Sequence, residues 1–234
     1  MNRWIEKVGQ PRPAMNGACW VIFAAGDWCE PSVIERFVSP STQVIACDGA
    51  LIRCLDEGLE PTVVIGDMDS VTPEALSVFR AGGGEVIERV NQEHHDLSKA
   101  LTYARENGAG SCLVFGATGG DEQHTWSNLL TCARSMMDVV CVGPKQIYRF
   151  LKPRNEYSIE IEAAALFSLF ALPKAEGIFL SGATYPLEDE TIVMGSRGLH
   201  NQCDSGRVNL SFTEGCLMMM HPHPFVWVEA RNEA

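Results

Sequence analysis

Short apolar runs recur through the first 142 residues: Trp20–Ala25, Gln43–Cys47, Thr62–Ile65, Gly84–Ile87, Ser111–Phe115 and Asp138–Val142. They are rich in Val and Ile and bounded by Gly, Asp or Pro. They are too short for helices and do not alternate cleanly, which is the pattern of strands buried on both faces. Helix-like stretches separate several of them. Ala50–Glu57 follows Asp48-Gly49, and Pro73–Ala81 has Thr72 placed to cap it and Pro73 at its first position. Asp96–Asn107 ends at Gly108, a C-terminal stop signal, and Gln123–Met137 is a further long candidate. Strands alternating with helices predict a mostly parallel sheet with flanking helices.

The cadence changes near Phe150. Tyr157–Glu162 and Arg207–Phe212 alternate, with Val208, Leu210 and Phe212 on one face. Leu166–Leu172, Gly177–Leu180, Thr191–Met194 and Cys216–Met220 read as further short strands between Gly, Pro and Asp turns. This is the rhythm of an antiparallel β-sandwich. The expected fold is therefore α/β followed by a β-sandwich. Its boundary falls at Leu151–Pro153, giving domains at 18–150 and 151–234. Residues 1–17 read as a polar, proline-bearing lead-in, and no internal repeat is visible.

Composition narrows the class. Of 234 residues, 46% are hydrophobic and 21% charged, enough apolar material for a core and too much for a disordered chain. Thirty acidic against eighteen basic residues give a net charge of -12, a field that repels a nucleic-acid backbone. Nine cysteines show neither a C-x-x-C pair nor zinc spacing. Cys19, Cys47, Cys112 and Cys141 read as buried thiols of a reducing compartment. The start lacks a signal-peptide core, and no run approaches a membrane span. A cytoplasmic protein without nucleic-acid or membrane partners is expected.

The densest chemical signal is Val63-Val64-Ile65-Gly66-Asp67-Met68-Asp69-Ser70. A buried strand runs into two carboxylates at i and i+2, which can converge on one side of a loop. Ligands bind outside the carboxyl ends of strands in open α/β sheets. Paired hard oxygens there suit Mg²⁺ shared with substrate phosphates; the plain alternative is a solvated acidic turn. Asp48-Gly49 stands at a second strand end. Asp96 opens a helix carrying Lys99, where an N-cap and a surface charge are the ordinary readings and a phosphate-neutralising cation the functional one. Gly116-Ala117-Thr118-Gly119-Gly120 follows a strand and precedes a helix, so its amides can cradle phosphate. It matches neither Walker A nor the dinucleotide fingerprint. Ala24-Ala25-Gly26-Asp27 can line the same pocket, whereas Gly82-Gly83-Gly84 reads as a plain turn. His94, His95 and His124 lie near these loops without forming a recognisable metal motif. Trp126, Leu129, Leu130, Ala133 and Met137 form a stripe expected to pack in the core. Met218-Met219-Met220 reads as strand.

Taken in order, these motifs resemble the thiamine pyrophosphokinase family. Its D-G-[GA] element matches Asp48-Gly49-Ala50, and its G-D-x-D-S segment matches Gly58-Leu59-Glu60-Pro61 leading into Gly66–Ser70. A T/N-D-x-x-K-A motif matches His95–Ala100. G-A-x-G-G-R-x-D-H is partly matched by Gly116–Gly120 and His124. Gly182–Leu187 and Gly198-Leu199-His200-Asn201 match elements of the second half. The resemblance runs from about residue 20 to the end of the chain.

It implies a nucleotide-binding α/β domain, a β-sandwich that helps bind thiamine, and a homodimer with sites near the subunit interface. It further implies Mg²⁺-dependent transfer of the terminal diphosphate of ATP to thiamine, giving thiamine diphosphate and AMP. The metal set is then Asp67, Asp69 and Asp96, and the catalytic set Asp67, Asp69 and Lys99. The binding set is Gly26, Asp48, Gly49, Lys99, Gly116, Thr118, Gly119, His124 and Asn201. One of the carboxylates, Asp69 among them, could take the hydroxyl proton. Asp121 and Gln123 stand where the family has Arg and Asp, and His200 where it has Ser. Two rival readings are a haloacid-dehalogenase-type phosphatase using Asp67-Met68-Asp69, and a non-catalytic nucleotide or thiamine binder.

Overall fold

The computed structural model describes residues 18–90, 94–223 and 230–232, so the expected lead-in at 1–17 lies outside the described residues. The chain divides between Pro144 and Lys145 into two compact units.

The first unit holds strands β1 (Ala18–Phe23), β2 (Val44–Cys47), β3 (Val63–Gly66), β4 (Glu85–Glu88), β5 (Ala109–Phe115) and β6 (Asp138–Val142). Its helices are α1 (Pro31–Ile34), α2 (Leu51–Asp56), α3 (Pro73–Ala81), α4 (Asp96–Glu106) and α5 (Glu122–Arg134). Every strand pairing within it is parallel, in the order β6-β5-β1-β2-β3-β4. Such a sheet needs a crossover after each strand, and the helices supply them. All residues of β2 and β3 are buried, as their unbroken apolar runs require. The chain lays down β1 to β4 toward one edge, then returns to place β5 and β6 on the other side of β1. The strand order therefore reverses at β1: the chain leaving β1 goes on to β2 on one side and the chain leaving β5 to β6 on the other, and such a switch point is where open α/β sheets hold ligands.

Local signals account for the helix ends. The Thr72 hydroxyl accepts from the Ala75 N–H, with Pro73 following as the sequence indicates. At four residues α1 is too short to carry a periodic pattern, and only Pro31 at its start marks it. The apolar stripe expected on α5 is shifted. Leu129 and Cys132 face inward, while Trp126 is 61% and Leu130 49% exposed. Met137 is buried but lies beyond the helix, which stops at Arg134.

The second unit is antiparallel throughout. Its strands are β7 (Gln146–Leu151), β8 (Asn155–Glu160), β9 (Leu166–Ser181), β10 (Leu187–Val193), β11 (Asn201–Gln202), β12 (Arg207–Ser211), β13 (Glu214–Pro222) and β14 (Ala230–Asn232). Tyr157, Ile159, Phe167, Leu169, Leu180, Val208 and Leu210 belong to one apolar core, and β8 alternates buried and exposed along its length. The unit begins before the boundary read from the sequence. The backbone of Gln146–Leu151 pairs with β13, so this strand goes with the sandwich. Leu166–Leu172 and Gly177–Leu180, expected as separate strands, are parts of the single strand β9. Pro173 does not break it, because the register against β13 shifts between Gly215 and Leu217, opposite the proline. An irregularity of this kind is where a strand tolerates a residue without an N–H.

Candidate active site

Four carboxylates collect at the carboxyl edge of the parallel sheet. Asp48 follows β2 directly, Asp67 and Asp69 follow β3, and Asp96 opens α4 after β4. Asp48, Asp67 and Asp69 each offer an oxygen within 4.8 Å of the others, and among the described residues no other His, Cys, Asp or Glu group is so arranged.

Asp48 is the fixed member, 3% exposed. Its Oδ1 accepts the Gly49 N–H at 2.6 Å and its Oδ2 the Met68 N–H at 3.1 Å. The second bond ties the end of β2 to the loop after β3. Gly66 makes room for it, since a Cβ there would lie 2.5 Å from Asp48 Cγ. Met68 sits in the left-handed region at φ 65°, unusual for an unbranched non-glycine residue, and there the chain turns between the two aspartates. Asp69 accepts the Ser70 hydroxyl at 2.9 Å and is exposed, while Asp67 is half-buried. Burial first, then the charge of Asp96, pushes the Asp48 carboxyl up to about 6, with a shared hydrogen bond to Asp96 and the charge of Asp67 adding and the Gly49 amide opposing. Burial also pushes the Cys47 thiol far up, so it offers no thiolate to the cluster.

Asp96 stands beside Asp48 and also pairs with a lysine. Its Oδ1 accepts from Lys99 Nζ at 2.9 Å, an i,i+3 pair on the first turn of α4. Lys99 is 6% exposed, the only lysine among the buried described residues. The capping position belongs to His95, so Asp96 is the first helical residue and not the cap. Burial lowers the His95 pKa, with the charges of His124 and His94 acting the same way and Asp96 opposing.

The loops after β1 and β5 are zipped together. Gly26 N–H donates to Gly116 O at 2.9 Å and Asp27 N–H to Thr118 O at 2.8 Å. A Cβ at Gly26 would lie 2.5 Å from Thr118 O, so the two backbones can approach only at a glycine. Thr118 is buried. His124 is exposed, and its N–H donates to Asp121 Oδ1 at 2.8 Å. Asp121, which replaces the basic residue of the family pattern, is thus the N-cap of α5.

Asn201 lies in the other unit and is spoken for there. Its Oδ1 accepts from the Tyr185 and Gln202 amides and its Nδ2 donates to Tyr185 O. Among the sequence candidates, the structure gathers Asp48, Asp67, Asp69, Asp96 and Lys99 in one neighbourhood and Gly26, Gly116, Thr118 and Gly119 in a second, along the same sheet edge. Asp48, read from the sequence as a binding residue, lies in the same oxygen-lined space as Asp67 and Asp69, with Asp96 beside it. Sequence reasoning passed over Asn128, whose Nδ2 donates to Ala117 O at 2.9 Å and pins the glycine loop. Only its place between Thr125 and Thr131 at helical spacing marked it.

The family model described as thiamin pyrophosphokinase, catalytic domain, matches residues 34–141. Thiamine pyrophosphokinase of Bacillus subtilis (strain 168) is 28% identical over 194 residues, spanning 80% of this chain and 90% of that one. Thiamine pyrophosphokinase 1 of Oryza sativa subsp. japonica is 31% identical over 111 residues, 44% of this chain and 42% of its own. The crystal structure of the Bacillus subtilis thiamine pyrophosphokinase superposes with a TM-score of 0.74 at 24% identity, covering 89% of this chain and 100% of that one. That of yeast thiamin pyrophosphokinase gives 0.65 at 12%, covering 94% and 90%. At these identities the two superpositions speak for the fold.

Proposed function

The chain belongs to the thiamine pyrophosphokinase family, and from that premise we propose that it transfers the terminal diphosphate of ATP to the hydroxyethyl oxygen of thiamine, yielding thiamine diphosphate and AMP. The observation that carries the reading is the convergence of Asp48, Asp67 and Asp69 within 4.8 Å at the carboxyl edge of a parallel sheet.

Like charges drawn together and left facing one another fit a hard divalent cation, because oxygen donors and excess negative charge are what Mg²⁺ selects. Asp67 and Asp69, with Asp48 and with Asp96 beside it, would hold Mg²⁺, which when bound neutralises charge on the transferred phosphates. The chain itself contributes positioning and electrostatics, which dominate phosphoryl chemistry. Lys99 offers a buried point charge steadied by Asp96. The amides of Gly116–Gly119 offer donors to phosphate oxygens. A carboxylate of the cluster, Asp69 being the exposed one, takes the proton of the attacking hydroxyl. ATP binds the first unit, and the second unit contributes to holding thiamine, with Asn201 shaping the 182–187 loop. The working form is a cytoplasmic homodimer; among the described residues no helix is long and apolar enough to cross a membrane.

A haloacid-dehalogenase-type phosphatase is not favoured. Its D-x-D ends the first strand of its sheet, whereas here the motif follows β3. A binder without turnover is not favoured either, since the acidic set and Lys99 are intact. The test is to incubate the purified chain with ATP, thiamine and Mg²⁺ and separate the products. Equal amounts of AMP and thiamine diphosphate are expected. Inorganic phosphate with a phosphoaspartyl protein, or no AMP at all, would overturn the reading.

A further inference from the structure

Helix α5 presents Thr125, Asn128 and Thr131 at intervals of three, which places them along one side of the helix. Each makes a hydrogen bond to something outside the helix. Thr125 Oγ1 donates to Gly119 O at 3.4 Å and Asn128 Nδ2 to Ala117 O at 2.9 Å. Both fix the glycine loop after β5. Thr131 reaches a different element, because its Oγ1 shares a 2.9 Å hydrogen bond with His95 Nε2.

His95 is the residue on which the start of α4 hangs. Its carbonyl accepts the Ser98 N–H at 3.0 Å and the Lys99 N–H at 3.2 Å. The next residue is Asp96, and Lys99 follows one turn on. A residue at this position ordinarily turns its side chain back to cap the helix amides. The His95 side chain makes no such bond. Its half-buried ring crosses to α5 instead. One helix therefore holds, through a single row of side chains, both the loop that offers amides and the turn that offers Asp96 and Lys99.

We propose that His95 and Thr131 form a positioning strap that sets the Asp96–Lys99 turn in register with the Gly116–Gly119 loop, so that both meet the phosphates of one nucleotide. The strap rests on the transfer reaction inferred above. It does not touch the reacting atoms. Its contribution is to remove freedom between two groups that must act on the same substrate, where small misplacements are costly.

The experiment compares Thr131→Val, Thr131→Ser, His95→Ala and the double variant His95→Ala/Thr131→Val with the unaltered chain. Valine keeps the shape and deletes the hydroxyl; serine keeps the hydroxyl. Thr131→Val is expected to lower kcat roughly tenfold and leave KM for thiamine within about twofold. Thr131→Ser should stay within about twofold of the unaltered chain in kcat. The double variant should fall no further than the worse single one, because the two side chains act as one link. Unchanged kcat in Thr131→Val, an equal loss in Thr131→Ser, or additive losses in the double variant would overturn the strap. Amide hydrogen exchange at Ser98 and Lys99 provides a readout free of turnover. It should rise about tenfold in Thr131→Val while β2 and β5 exchange as before. Should the unaltered chain make no AMP, the transfer reading fails, and unchanged exchange at those two amides would separately remove the strap.

Discussion

Each unit buries charged or strongly polar side chains, and it treats them in opposite ways. In the sandwich, Arg149 Nε donates to His221 Nε2 at 2.9 Å, and His221 Nδ1 lies 2.8 Å from Pro222 O. Asn201 likewise spends its amide on three backbone bonds. These groups are answered within their own unit. At the sheet edge of the first unit, buried Asp48 takes two backbone amides, yet its carboxylate still faces those of half-buried Asp67 and exposed Asp69. Buried polarity that is satisfied holds a fold together. Carboxylates of one sign left facing one another lower stability and are retained for a ligand of the other sign.

The largest expected effect tests the second half of that contrast. Asp69→Asn keeps the shape and removes a charge, so turnover should fall on the order of 10²–10³-fold, read as AMP formed. Its melting temperature should not drop, because a repulsion has been relieved. Full activity at saturating Mg²⁺ would break the comparison. His221→Phe should do the reverse. Losing an acceptor for a buried guanidinium costs roughly 2–3 kcal/mol in denaturant unfolding, while kcat stays within about twofold. Gly66→Ala lies between the two. The new methyl meets the Asp48 carboxyl, and a cost of about 1–3 kcal/mol is expected together with weakened Mg²⁺ binding.

The clusters also titrate in opposite directions. Asp48 is raised to about 6 in the folded chain, so its favourable contribution is complete below its ordinary value near 3.8 and is lost as pH rises through 6. His221 is lowered to about 3 by burial and by Arg149, so its contribution is complete above 6.5 and is lost as the pH falls toward 3. Thermal unfolding against pH should show Asp48→Asn flattening the loss between about pH 4 and 6. Mg²⁺ should raise the melting temperature more at pH 8 than at pH 5, since the cation competes with the proton. An equal rise at both would sink the metal assignment. The smallest effect is expected at Asp121→Ala, which removes the α5 cap for about 1 kcal/mol.

Much of this was legible along the chain. The Val- and Ile-rich runs became the parallel strands, and Thr72-Pro73 started α3 as written. Asp48, Asp67, Asp69 and Asp96 could be singled out because each follows a buried strand or opens a helix. Other features were not legible. Pro173 read as a break, and only the irregularity in β13 shows why β9 continues through it. The strand Gln146–Leu151 carries no mark saying which unit will pair it. Trp126 and Leu130 fit a helical stripe that the tertiary fold left outside.

What the residues alone determined was local: which segments are strands, where helices start, and which carboxylates stand at strand ends. These follow from periodicity and backbone preference, which act over a few positions. Which carboxylates share an oxygen-lined space was decided in three dimensions. Asp48 joined Asp67 and Asp69, and Asp96 turned to Lys99, because β2 and β3 are neighbours in the sheet and Gly66 lets one backbone close on another's side chain. The contacts of Asp48 join stretches about twenty residues apart in sequence, and no local preference encodes them.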